Sequence, residues 1–159
     1  MEVERVCGNC TACCKTHGVF VLAKDSGTWC QHCNIGNGCQ IYNERPTECQ
    51  EFKCAWLNGK AGGSNYRPDK IGIVPEHRKI PGIGMTMWFW EFKEGSLTST
   101  LTKNWTLRNL IVGNCVMHVP LAGKPKLYLP KSIDNFNLTF RMGQSGEEVE
   151  IVPFVLGMF

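Results

Sequence analysis

The stretch CGNCTACC at residues 7–14, continued by CQHCNIGNGC at 30–39 and RPTECQEFKC at 45–54, decides how the first third of this chain folds. It gathers Cys7, Cys10, Cys13, Cys14, Cys30, Cys33, Cys39, Cys49 and Cys54 near one end and leaves only Cys115 beyond. Either disulfides or metal ions must hold such a segment. Cys7–Cys10 and Cys30–Cys33 are both C-x2-C pairs, a spacing that brings two thiolates to one metal through a tight backbone knuckle. The opening MEVERVCGNC has acidic residues and no apolar signal-peptide core, so a cytoplasmic location with reduced thiols is expected. Metal is therefore the favoured reading.

Composition bounds the class. Hydrophobic residues make up 43% and charged residues 19% of 159 residues, which suits a folded domain and argues against a disordered chain. No apolar run is long enough to span a bilayer, so no membrane segment is expected. Residues 1–60 balance six Lys/Arg against six Asp/Glu, and residues 61–159 hold eleven against eight. Basic residues are scattered, which argues against a nucleic-acid partner.

Outward from the cysteines, the pattern predicts a helical turn over 11–16 ending near Gly18, a strand over 19–23, and a metal-wrapped loop over 25–40. Pro46 at a first helical position, Glu48 and Glu51 in early turns and a stop at Asn58–Gly59 predict a helix carrying Cys49, Phe52 and Trp56 on one face. On such a helix Cys49 and Cys54 lie roughly 140° apart, too far round to share one ion. Residues 59–68 read as a Gly- and Ser-rich linker or wide loop. Beyond it, strands are predicted over 70–74, 84–92, 115–119, 126–129, 137–142 and 148–154, with a helix over 105–112 capped by Asn104. The expected architecture is α+β: a metal-stabilised cysteine-rich module over 1–58, packed on a small domain over 59–159 with a mainly antiparallel sheet.

Four thiolates complete a closed zinc site, so eight serve two ions and the nine leave one over. Cys30, Cys33 and Cys39 look like three ligands of one site, and Cys7, Cys10 and Cys13 or Cys14 like three of another. His17 and His32 are candidate substitutes, better read as ordinary surface or core histidines because thiolates already suffice. An iron–sulfur cluster is the alternative, since Cys7-x2-Cys10-x2-Cys13 opens like a bacterial ferredoxin run, although the fourth Cys followed by Pro is missing. Two-knuckle spacing favours zinc.

Cys7-x2-Cys10-x2-Cys13-Cys14, Gly38-Cys39-Gln40-Ile41-Tyr42 and Arg45-Pro46-x2-Cys49-x2-Phe52-x-Cys54-x-Trp56-Leu57 together resemble the zinc- or iron-chelating cysteine-cluster proteins. That family includes the cysteine-rich part of flagellin lysine N-methylases. The resemblance covers residues 7–57 and implies a bacterial or phage protein chelating metal through these cysteines; it implies no reaction.

Among the other residues, Arg45 is expected either to neutralise thiolate charge or to pair with Glu48. Tyr42, Phe52 and Trp56 are expected to wall the site from water. No H-E-x-x-H, deaminase, Walker or dinucleotide motif is present, and nothing pairs a nucleophile with a base, so no catalytic residue is assigned. His77, between Glu76 and Arg78, reads as a solvated turn residue, His118 as a satisfied core residue and Cys115 as a small buried hydrophobe. The segment MWFWEF (87–92), better read as core, and the apolar terminus VPFVLGMF (152–159) are candidate docking surfaces for a protein partner.

Overall fold

Tight turns string together the short elements that carry the cysteines. In this computed structural model, residues 4–133, 138–143, 145–155 and 157–159 are described. Helix α1 (Ala12–Thr16) is a single turn that stops at His17, whose backbone is extended. The strand expected over 19–23 is instead a 3-10 turn, Phe20–Leu22, closed by Ala23 at φ 46°. Only Val19 and Lys24 pair across it. Strands β1 (Cys33–Asn34) and β2 (Gly38–Cys39) form a small antiparallel hairpin.

Helix α2 (Thr47–Glu51) begins one residue after Pro46, which stands as its N-cap instead of its first residue, and runs for only five residues. Phe52 is already extended (ψ 123°), so Cys49 and Cys54 do not share a helix and the expected angular restriction between them disappears. The physical reason lies in the sheet beneath: the Ala55 N–H donates to the Pro75 carbonyl at 2.7 Å, which draws the chain onto the first long strand before another turn can form.

Of the linker or wide loop expected over 59–68, the chain forms the loop, and it is packed. Ala61 is buried, the Trp56 indole N–H donates to the Gly63 carbonyl at 3.1 Å, and Arg5 Nη1 donates to the Trp56 and Ala61 carbonyls at 2.7 Å each. Helix α3 (Pro68–Ile71) follows, with proline at its start and Gly72 at its end in the left-handed region (φ 79°).

The main sheet contains β3 (Ile73–Ile80), β4 (Gly84–Glu91), β5 (Cys115–Val119), β6 (Lys126–Leu129) and β7 (Glu150–Pro153), in that spatial order. Pairings β3/β4 and β5/β6 are antiparallel, whereas β4/β5 and β6/β7 are parallel. The class is thus α+β with few helices, and the sheet is mixed. Helix α4 (Thr100–Ile111), capped by Ser99 Oγ accepting from the Thr102 N–H at 3.2 Å, supplies the long return that a parallel β4/β5 pair requires. It starts several residues before the expected 105, because the serine rather than Asn104 is the cap. The strand expected over 137–142 begins at a residue outside the described set; among those described, Arg141 makes one bridge to Glu148.

Alternation along the strands sends side chains to two faces. On one face Val74, Trp88, Trp90, Cys115, Met117, Leu127 and Leu129 form a continuous cluster with Ala12, Cys54, Ala55 and Trp56 of the cysteine-bearing segment. On the other, Ile73, Met87, Phe89 and Val116 pack with Leu97 and with Leu110 of α4. Burying a side chain such as Phe89 stabilises by about 1.5–3 kcal/mol. Segment 87–92 is therefore the middle of the core and offers no docking surface, because its sheet is covered on both sides. At the C-terminus, Phe154 and Met158 pack on the second cluster and Phe159 lies 5.6 Å from the Tyr128 ring, while Val155 stays exposed.

His118 is buried beneath α4, its Nε2 2.8 Å from the Thr106 hydroxyl, between the Phe89 and Tyr128 rings. Burial pushes its pKa down to about 4. The unfolded chain takes up a proton near pH 6.5 that the folded one refuses, so stability falls between pH 6.5 and 4 by on the order of 3 kcal/mol. An NMR titration of the His118 ring resonances is expected to show its midpoint near 4. An ordinary midpoint near 6.5 would place the ring in water.

Candidate metal centre

Eight thiols, those of Cys7, Cys10, Cys13, Cys14, Cys30, Cys39, Cys49 and Cys54, line one cavity of about 300 Å³. All ten cysteines of the chain are free. The ninth of the cluster, Cys33, stands just off the wall, and Cys115 is buried in β5, its thiol pushed up to about 11 by that burial. Among the described residues, no three Cys, His, Asp or Glu side chains are already drawn into a ligand set. The thiols ring the cavity instead.

Local backbone chemistry explains how they come to face it. The Cys10 N–H donates to the Cys7 carbonyl at 2.9 Å, closing a turn in which Gly8 takes φ 53°. The Cys33 N–H does the same to Cys30 at 3.0 Å, and the Cys30 N–H reaches the Cys14 carbonyl at 3.0 Å, fastening the second knuckle to α1. Gly38 suits its place because its φ of 123° strains any residue with a side chain, and an ideal Cβ there would also crowd the Gly8 carbonyl at 3.3 Å where the two knuckle loops meet. Two neighbourhoods result. Cys54 lies within electrostatic reach of Cys10 and Cys7, and Cys49 within reach of Cys14, Cys30 and Cys39.

Backbone amides are aimed at sulfur in the first group. The Leu57 N–H approaches Cys54 Sγ at 3.4 Å, and amides of Ala12 and Asp69 are directed at Cys10. Such N–H groups favour the thiolate, yet burial wins: Cys10 is raised and Cys54 stands at about 11. In the second group the thiols act on each other. The hydrogen bond that the Cys14 thiol donates to Cys13, and then burial, push Cys14 upward, while burial and the Cys14 charge push Cys33 to about 12. Neighbouring thiolates repel, so the group cannot ionise together without added positive charge.

Three cations stand on the cavity wall. Lys24 Nζ donates to the Lys15 and His17 carbonyls at the end of α1, near Cys30, Cys14, Cys13 and Cys49. Arg45 lies over the Tyr42 ring at 3.7 Å and donates to the Tyr42 carbonyl, and its charge favours the Cys7 thiolate. It does not pair with Glu48, whose carboxylate instead accepts from the Phe20 N–H at 3.1 Å. Arg78 is the third. Tyr42, Phe52 and Trp56 line the wall, as expected of aromatics at these positions.

Glu76 and Arg78 are site residues that sequence reading assigned to a polar turn. They lie on β3, facing the cysteines, with His77 on the alternate side. Glu76 accepts from Arg78 Nε at 2.6 Å and from the Trp90 indole at 3.1 Å, and lies 3.0 Å from His17 Nε2. His17 Nδ1 is 2.8 Å from the Thr16 hydroxyl, and its ring packs at a tilt of 44° against both Phe52 and Trp90. Both ring nitrogens are therefore engaged away from the thiols. Burial raises the Glu76 carboxyl, but hydrogen bonds and charge from His17 and Arg78 outweigh it and leave the pKa below the usual value. The usable signal was alternation, Val74, Glu76 and Arg78 on one face, which a single polar triplet obscured. The His32 ring lies 3.2 Å from the Gln31 amide, its one side-chain partner among the described residues.

Comparison with protein-family models, with curated proteins and with solved structures found no match to this chain.

Glu76 ties the cysteine segment to the sheet, and its side chain is only 12% exposed. Glu76→Ala leaves His17, Arg78 and the Trp90 indole without their common acceptor, so a loss of about 3–5 kcal/mol is expected in urea unfolding. Glu76→Gln, which keeps an acceptor oxygen, is expected to lose less. Equal losses would show that the charge and not the hydrogen bonds matters.

Proposed function

We propose that this protein binds metal, holding two zinc ions in cysteine-thiolate sites that are structural, and that it serves as an accessory or protein-interaction module. One observation carries the reading: eight thiols from three separate segments line one cavity, the number two tetrahedral sites require. The donor set fits the ion. Thiolates are soft ligands, amide N–H groups are aimed at Cys54 and Cys10, and the mutual repulsion of Cys49, Cys14, Cys30 and Cys39 would be relieved by a dication. Cys7, Cys10 and Cys54 would belong to one site and Cys30, Cys39 and Cys49 to the other, with Cys13 and Cys14, which hydrogen-bond each other, divided between the two.

Bound zinc would supply folding free energy to a segment whose helices are single turns. The chain's own residues do the rest: Tyr42, Phe52 and Trp56 keep water from the sulfurs, and Lys24 and Arg45 offset residual negative charge. The resemblance to the zinc- or iron-chelating cysteine-cluster proteins supports the same reading, as it does a cytoplasmic location and a bacterial or phage source. A protein partner would meet the apolar C-terminus, where Val155 and Phe159 remain partly exposed. No reaction is assigned.

The second reading, an iron–sulfur cluster with redox or protein-modifying activity, is favoured by the continuity of the cavity. Its thiols surround one volume of about 300 Å³ and are not closed off as two separate knots.

Anaerobic purification followed by elemental analysis tests both. Two zinc per chain in a colourless solution is expected; a brown solution with iron and labile sulfide would replace the first reading with the second. Cys49→Ser is expected to lower the metal content and expose residues 7–57 to protease, whereas Cys115→Ser leaves the content unchanged. Loss of metal in both variants would show that the ligand set is misassigned.

A further inference from the structure

Cys33 is the member of the cluster that does not line the cavity, and its place in the hairpin gives it another partner. It stands directly opposite Cys39 in the β1/β2 pair. The Gln40 N–H donates to the His32 carbonyl at 2.9 Å, which makes residues 32 and 40 the hydrogen-bonded pair of the ladder. Cys33 and Cys39 are then the adjoining non-hydrogen-bonded pair, with Cα atoms about 4.5 Å apart and side chains on one face. Disulfides form across Cα separations of about 4.4–6.8 Å. The loop between them is held by the Asn37 N–H to the Asn34 carbonyl at 2.8 Å and by the Gly36 N–H to the Thr11 hydroxyl at 3.1 Å.

We propose that Cys33 is a resolving thiol for Cys39, so that peroxide converts this pair to a cross-strand disulfide and withdraws one ligand from the second metal site. The proposal rests on the thiolate-site reading above for its consequence, not for the bond itself. In the first step the Cys39 sulfur attacks one oxygen of hydrogen peroxide; the O–O bond breaks, giving Cys39 sulfenic acid and one water. In the second step the Cys33 sulfur attacks the Cys39 sulfur, the S–O bond breaks, and the hydroxyl leaves with the Cys33 proton as a second water. Two thiols lose two electrons and two protons, and one peroxide is reduced to two waters.

The geometry separates this pair from its competitors. Cys33 is also close to Cys14, and Cys14 to Cys13, but only the Cys33–Cys39 pair has its backbones fixed face to face by ladder register. The hairpin already holds both residues, so the bond forms without dismantling either knuckle turn. Eight cavity thiols are enough for two ions, which leaves the ninth free to act in this way.

The zinc-loaded full chain is treated with one equivalent of hydrogen peroxide, zinc release is read with a chromogenic chelator, and thiols are mapped by mass spectrometry without reduction. The expected result is loss of two hydrogens from the peptide containing residues 33–39, release of one zinc of two, and reversal by dithiothreitol. Cys33→Ser, with Cys33→Ala as a second variant, is expected to keep both ions at rest and to release zinc at least tenfold more slowly. Zinc missing from both variants as isolated would make Cys33 a ligand and overturn the proposal. So would a disulfide mapped to Cys13–Cys14 or Cys14–Cys33 with residues 33 and 39 still thiols. A protein isolated without metal would defeat the thiolate-site reading alone, because the mapped bond still decides the pair.

Discussion

Thiols crowded around one cavity cannot all ionise unless something positive stands among them, and the amino-terminal third depends on how that charge is balanced. Burial and neighbouring sulfurs push Cys14, Cys33 and Cys49 upward, so the cluster by itself favours neutral thiols. Lys24 and Arg45 offset part of the repulsion and Arg78 is engaged by Glu76, so the cations at the wall do not match the eight sulfurs around the cavity. A dication bound at the centre would change the balance from repulsion to ligation. The same sulfurs would then hold in place helices too short to be stable alone, since single-turn helices fall well below the length at which isolated helices persist.

The sheet supplies the rigid side of the arrangement. Val74, Glu76 and Arg78 on β3 and Trp88 and Trp90 on β4 form a platform under the cysteine segment, while α4 covers the opposite face. Glu76 joins the layers, receiving Arg78 and Trp90 from the sheet and meeting His17 from beyond α1. A carboxylate in that position fixes where α1, and with it Cys13 and Cys14, sits relative to the strands. Packing and hydrogen bonding thus set the cavity's dimensions on one side, and knuckle turns set them on the other.

What could be read from the sequence was what local chemistry dictates. C-x2-C spacing implies tight turns, and the turns at Cys7–Cys10 and Cys30–Cys33 are there. Strands β5 and β6 fall where alternation and turn residues place them. Pro46 and Glu48 mark the start of α2 to within one residue, but its end at Glu51 is imposed by the hydrogen bond from Ala55 to Pro75, a contact twenty residues away in sequence. The parallel pairings were hidden for the same reason: which strand lies beside β4 depends on where α4 returns the chain, not on β4 itself. Glu76 and Arg78 were misread because a polar triplet resembles a turn until its neighbours are known to be strand. Among the nine cysteines, spacing could not distinguish Cys33 from its neighbours; only the register of the hairpin does.

The most direct test of the account is X-ray absorption at the zinc edge of the protein as isolated. Metal bound as described predicts a first shell of four sulfur neighbours at about 2.3 Å. A shell dominated by nitrogen or oxygen would contradict it, because the eight cavity thiols would then not be the ligands.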